Sequence, residues 1–324
     1  MDRATVFDVN VHDLGGLNAE QAVDVLRELL WAEASAVGIA KNLINVPTSI
    51  DAKDGGVDAD VRDAPRVSGQ GIIKLGITRY QVKTGKFSLK GEGDIRNILL
   101  RNGASKYELT SDDLKPRVKA CFDNGGTLVV VLFGSDNPDA EEDAALNAFQ
   151  KVLKNISPAY ETAKIEIWRQ NQIIAFLKPF PSIALLVNRR QIGNGLSRSE
   201  WAKLGNNSAH YEAGLLQTQA IDDLQTGLRN ADGAAIQIRL LGEAGVGKTR
   251  LAFEATAALD LAPLVVYFNR ATDFLNSSLS SELVREDNKF WLILIVDECS
   301  TNDRYQIWAI SRVLTPARPR EYVS

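Results

Sequence analysis

Between residues 18 and 35 the apolar positions Ala22, Leu26, Leu29 and Leu30 recur with polar residues between them. That is the spacing of one helix face, and Asn18 followed by Glu20 and Gln21 supplies a start. Three stretches rich in β-branched residues, 56–61, 77–84 and 127–134, are each bounded by Gly, Asp or Asn and predict strands. Helices are predicted at 94–102 and 111–123. A short strand is predicted at 165–168, then a helix at 170–177 stopped by Pro179 and Pro181. This succession describes an α/β domain ending near residue 185. Residues 186–208 carry Gly193, Asn194, Gly195, Gly205, Asn206 and Asn207 and read as a connector. A helix at 210–229 then leads through Asp232 and Gly233 to an apolar strand at 235–241, and another continuous apolar strand spans 290–296. The predicted organisation is a domain at 1–185, a linker at 186–209 and a second α/β unit at 210–324.

A length of 324 residues suits two cores, and 45% hydrophobic with 24% charged residues is the balance of a folded globular chain. Cys121 and Cys299 are the only cysteines. Two distant thiols imply no disulfide framework, a reducing compartment and burial as small hydrophobes. The first sixteen residues lack a basic start followed by an apolar run, and no apolar run approaches the ~20 residues that cross a bilayer. A cytoplasmic protein without a membrane span is therefore expected. The net charge of -4 argues against bulk coating of nucleic acid. Locally, however, Lys74, Arg79, Lys83, Lys86, Lys90, Arg96 and Arg101 face only Glu92 and Asp94, a net of +5 on which a phosphate backbone could dock. A solvated face is the plainer reading of that stretch.

Gly242-Glu243-Ala244-Gly245-Val246-Gly247-Lys248-Thr249 follows the apolar strand at 235–241 and precedes an amphipathic helix beginning near Lys248. A loop that turns its backbone N–H groups onto phosphates needs glycines, and the helix N-terminus adds its positive end. Lys248 then serves the β- and γ-phosphates, and Thr249 offers its hydroxyl to Mg²⁺. The strand at 290–296 ends in Asp297, placed for the ion, and Glu298, placed to orient water. Gly242, Gly245, Val246, Gly247, Lys248, Thr249, Asp297 and Glu298 are the cofactor-binding candidates.

A second constellation lies nearer the N-terminus. Asp54-Gly55-Gly56-Val57-Asp58-Ala59-Asp60 precedes a strand, and Tyr80-Gln81-Val82-Lys83-Thr84-Gly85 lies on the next. Side chains two apart share a face, so Gln81 and Lys83 point together and Asp58 can meet them. A carboxylate, a second oxygen ligand and a lysine suit Mg²⁺-assisted attack on a phosphodiester. Asp60 shares a face with Asp58 and is the alternative ligand. Glu33 continues the apolar series of the first helix, which buries a carboxylate that must be paired or metal-linked. His12 and His210 are too distant in sequence to suggest a triad or zinc site.

The run from Gly245 to Ala252 with Asp297-Glu298 resembles the STAND class of signal-transducing NTPases over residues 210–324, the front half of such a module. Residues 18–180, through Gly55-Gly56-Val57-Asp58, Gln81-Val82-Lys83 and Trp168-Arg169-Gln170-Asn171-Gln172-Ile173, resemble the PD-(D/E)xK restriction-endonuclease fold in its Mrr-like branch, where glutamine replaces the usual glutamate. The resemblance implies that Asp58 is the principal metal ligand, Gln81 a carbonyl ligand, Lys83 the catalytic lysine and Glu33 an auxiliary acid. Together the two imply an α/β chain: a Mg²⁺-dependent endonuclease acting on double-stranded DNA, joined to an ATP-binding switch in antiviral defence. Activation would come through homo-oligomerisation once a viral protein meets a C-terminal sensor. That sensor and the later NTPase strands are not in this sequence, so ATP hydrolysis by residues 210–324 alone is not expected. The competing expectation is an ATP-dependent signalling scaffold whose nuclease-like domain is catalytically silent and binds DNA or docks a partner.

Overall fold

The computed structural model describes residues 5–47, 56–85, 87, 89, 91–104, 108–134, 139–188, 192–230, 235–285 and 291–312. Asp54, Gly55, Lys86, Lys90, Asp232 and Gly233 lie outside the described residues. The protein is α/β and divides into two compact units, residues 9–178 and residues 1–8 together with 179–324.

In the first unit α1 (Val11–Gly15) and α2 (Ala19–Ala36) precede a mixed five-stranded sheet. Asn18 and Gln21 close the start of α2 with reciprocal side-chain to backbone bonds, each end satisfying a donor that the helix leaves open. The sheet order is β1 (Ile44–Asn45), β2 (Ala59–Ala64), β3 (Gly76–Lys83), β4 (Thr127–Leu132) and β5 (Lys164–Trp168). The first three pair antiparallel, and β3, β4 and β5 run parallel. Every residue of β4 is buried, as expected of a central strand covered on both faces. Leu128, Val130 and Leu132 pack on one side with residues of α3 (Glu92–Leu99), α4 (Pro116–Asp123) and α5 (Asp139–Ile156). The other side carries Tyr80 against Trp168, which meets Phe176 of α6 (Gln170–Leu177) edge-on. The predicted helix at 111–123 is interrupted: Ser111–Asp113 is a short 3₁₀ turn, and α4 restarts at Pro116, whose ring suits a first helical position.

The second unit begins with α7 (Pro181–Asn188), and Asn188 donates to the carbonyls of Val6 and Asp8. Within the expected connector at 186–208, the described residues 186–188 and 192–208 are instead structured. They include β6 (Leu196–Ser197) and α8 (Arg198–Ala202), opened by a Ser197–Glu200 capping box. Trp201 is buried, stacked on Tyr267 and edge-on to Phe253. The Asn, Gly and Ser content marked caps and tight turns, the same residue types that mark linkers. A three-stranded sheet of order β6, β7 (Val265–Phe268), β8 (Ile293–Val296) follows, with β7 and β8 parallel. Around it lie α9 (Leu215–Arg229), α10 (Lys248–Ala255), α11 (Ala271–Leu275), α12 (Ser278–Leu283) and α13 (Thr301–Arg312). Residues 235–241, expected as a strand, join neither sheet. They line, with β8, a cavity of about 1000 Å³, and Ile236, Ile238 and Leu241 stay exposed.

Two consequences are measurable. Gly134 lies where its missing side chain leaves room for the backbone of Gly85, and a Cβ there would overlap the Gly85 carbonyl. Gly134→Ala should therefore destabilise the first unit by about 1–3 kcal/mol in urea unfolding. In the second unit α9 buries no residue and is tied by a two-pronged Arg229–Asp260 bond of 2.7 and 2.9 Å. That bond holds the Asp260 carboxyl below its ordinary range. A depressed carboxylate stabilises the fold above its unfolded pKa, near ~4, and loses that contribution as pH falls through its lower folded value. Asp260→Asn should lower the urea midpoint at pH 7, and the gap to the parent should close in acid.

Candidate functional site

In the second unit the phosphate-loop motif folds as a turn between residues 235–241 and α10. Gly245 and Gly247 adopt φ of 81° and 86°, a left-handed backbone that side chains disfavour, and this curls the loop ahead of the α10 N-terminus. Lys248 bends back over the loop, donating to the carbonyls of Gly242 (3.0 Å) and Glu243 (2.7 Å). Thr249 hydroxyl donates to the Asp297 carboxylate, so residues 48 apart in sequence meet side chain to side chain. Asp297 is seated at the end of β8 by its backbone N–H on Phe268, while Glu298 takes φ of 45° and lies 3.6 Å from Arg270. Burial, then the Asp297 and Glu298 carboxylates, push the neighbouring Tyr267 phenol up to about 12, a sign of the negative field there. Gly245, Gly247, Lys248, Thr249, Asp297 and Glu298 line one cavity of about 590 Å³. Val246 stands outward, 61% exposed, and Gly242 supplies a carbonyl to Lys248. Oxygen donors from Thr249 and Asp297 beside an ammonium and a helix N-terminus fit a Mg²⁺–nucleotide.

Sequence reasoning passed over one wall of this cavity. Asn207, Ala209 and His210 line it, and Arg250, the residue after the motif, donates to the Ala209 carbonyl and lies over the Tyr211 ring. The signal was present only as an arginine following Thr249. Cys299, expected in a core, is half-buried beside this site, with its thiol 3.6 Å from the Val296 and Asp297 carbonyls, whereas Cys121 is buried as expected.

In the first unit Asp58 sits at the mouth of β2, its N–H bonded to the Tyr80 carbonyl and its carboxylate accepting from the Val82 N–H at 2.7 Å. That places the acid against β3 between Gln81 and Lys83. Lys83 is half-buried, its ammonium 5.6 Å from the centre of the Phe87 ring. Gln81, however, is only 3% exposed. With its amide turned so that each end meets a partner, the nitrogen donates to the Ile98 carbonyl (3.2 Å) and the oxygen accepts from Lys115 Nζ (3.1 Å). Glu33 is not brought to this group. It accepts from Gln70 at 2.8 Å on the side of the sheet occupied by Tyr80. Burial raises the Tyr80 phenol, and the Glu166 and Glu33 carboxylates add to the rise. Adjacent strand residues face opposite sides, so Tyr80 and Gln81 separate the two acids' surroundings. Among the described residues, Glu33 Oε2 meets no hydrogen-bond partner. Asp60, the alternative ligand, is buried and held by Asn45, Arg62 and Arg117.

Of the expected ion ligands, Asp58 lies across from Gln81 on one face of the sheet and Glu33 lies on the other; with the Gln81 amide engaged by Ile98 and Lys115, the three as arranged do not form an inner shell. Among the described residues no three His, Cys, Asp or Glu side chains cluster. The basic stretch is also largely partnered: Lys74 with Glu166, Arg96 with Glu92, Arg101 with Asp113, and Arg79 with the Arg117 carbonyl. The residue that local sequence could not reveal is Lys115, brought to Gln81 from the start of α4. No helix among the described residues is long and apolar enough to cross a membrane. Comparison with protein families, curated proteins and solved structures finds no match to this chain.

Proposed function

We propose that the chain is a nucleotide-dependent switch joined to a DNA-directed effector. Residues 210–324 take ATP with Mg²⁺, and residues 1–185 act as a restriction-endonuclease-like domain cutting double-stranded DNA once the switch gathers copies of the chain. The observation that carries the switch is the Thr249–Asp297 contact, which joins the phosphate loop to the acidic strand end. When bound, Mg²⁺ would neutralise phosphate charge between these two side chains. Lys248 would exchange two neutral carbonyls for charged phosphate oxygens, a stronger acceptor for an ammonium. Defence against phage, with a viral protein as trigger, is the setting implied by the pairing of the two resemblances.

Lys248→Ala should weaken ATP binding about 10- to 100-fold, the loss of a charge-assisted bond of roughly 1.5–3 kcal/mol, read by titration of a fluorescent ATP analogue. Affinity unchanged in that variant would remove the assigned phosphate contact.

For the effector, support comes from Asp58 and Lys83 at one end of β3. Plasmid cleavage by the full-length protein with its trigger should fall at least ~100-fold in Asp58→Ala and in Lys83→Ala. Equal cutting by parent and variants would sink the endonuclease. A second reading, a catalytically silent nuclease-like domain that binds DNA or docks a partner, is favoured by one observation: Gln81 is buried with both ends of its amide engaged. Absence of cleavage by the activated parent would decide for it.

A further inference from the structure

Asp60 is buried on β2, and a buried carboxylate needs a partner. One guanidinium meets that need, and Arg117 of α4 supplies it at 3.0 Å. Two more stand beside it. Arg62 lies two residues along β2 with its Nε 3.3 Å from the other Asp60 oxygen, and Arg79 is the residue directly across on β3. Arg79 donates to the Arg117 carbonyl, which satisfies a proton and leaves the charge, and its Nε is buried with no acceptor. Three positive charges therefore share one negative charge.

This cluster opens to solvent near the edge of the sheet. β1 pairs only with Asp60 and Val61, and β2 bulges between Val61 and Ala64, with Asp63 at φ of 47°. The bulge leaves the Arg62 side chain 64% exposed, and among the described residues its terminal nitrogens meet no acceptor. Asp63, exposed beside it, bonds to none of the three arginines. A guanidinium presents a planar fork of N–H donors that matches phosphate oxygens, so surplus arginines with donors to spare select that anion.

We infer that Arg62, Arg79 and Arg117 form an anion site for a backbone phosphate of double-stranded DNA, with Asp60 as the internal counter-charge that gathers the arginines. The ligand rests on the proposed DNA-directed reading of residues 1–185; the site does not require that the DNA be cut.

The test titrates the full chain with a short fluorescein-labelled DNA duplex in EDTA, which stops metal-dependent cutting, across a series of salt concentrations. Arg62→Gln should weaken binding about tenfold and flatten the slope of log affinity against log salt by ~0.9, the loss of one phosphate contact. Arg62→Lys should keep the slope of the parent. Lys151→Gln, which removes an exposed charge from α5, should leave affinity and slope near the parent's. No loss in Arg62→Gln, or an equal loss in Lys151→Gln, overturns the inference. Should Arg62→Gln fail to fold, Arg62→Met, which keeps the apolar stem, carries the same expectation. Inorganic phosphate, added at constant ionic strength, should leave the duplex bound; displacement at concentrations comparable with the duplex would assign the site to free phosphate and refute the backbone contact. A parent that binds no duplex refutes the DNA-directed reading and takes this inference with it, whereas duplex binding indifferent to Arg62 refutes the inference alone.

Discussion

Strand β3 runs between β2 and β4 with both faces covered, so its alternation decides what each neighbouring residue can do. Tyr80 turns to Trp168 and the helix layer carrying Glu33, while Gln81 turns to the layer of α3 and α4. A single peptide step therefore separates two acids, Glu33 and Asp58, that a linear reading would pool in one site. The same constraint draws the Asp58 carboxylate onto the Val82 N–H, a donor that the end of the β2 ladder would otherwise leave open.

Burial of polar side chains then selects partners. Asp60 is nearly as buried as the apolar core, and its charge is held by Arg117 at 3.0 Å with Arg62 and Asn45 beside it. Gln170 donates to the Phe133 and Val11 carbonyls. Gln81 follows the same rule with the Ile98 carbonyl and Lys115. Each of these groups is costly in the interior unless bonded, so each has been drawn toward whatever donor or acceptor the packing supplies. For Gln81 that requirement competes with a role toward an ion, and it is this competition that sets the nuclease and silent-domain readings apart.

At the glycine-rich loop of residues 242–247 the demands agree rather than compete. Left-handed turns at Gly245 and Gly247, the start of α10 and the end of β8 put an ammonium, a hydroxyl and two carboxylates around one cavity. The motif is local in sequence, and its geometry follows from backbone freedom that only glycine gives cheaply. The meeting of Thr249 with Asp297 adds one long-range contact to an otherwise short-range design.

The sequence by itself determined the helix and strand order around the first sheet apart from α1, β1 and α5, the limits of α6 to the residue, and the glycine-rich turn at 242–249 with the acidic end of β8, because each is written in local periodicity, turn chemistry or a short motif; α5, β7, α11, α12 and α13 lie outside the predicted elements. It did not determine that β6 and α8 form within the expected connector and bury Trp201, since cap and linker residues are the same types. Nor did it determine that 235–241, strand-like by pattern, stays outside the sheet, since pairing is a property of the neighbour and not of the strand. Only the tertiary structure decided that Glu33 and Asp58 look to different faces and that Lys115 reaches Gln81. Those relations depend on how separated segments pack, and no interval along the chain encodes that distance.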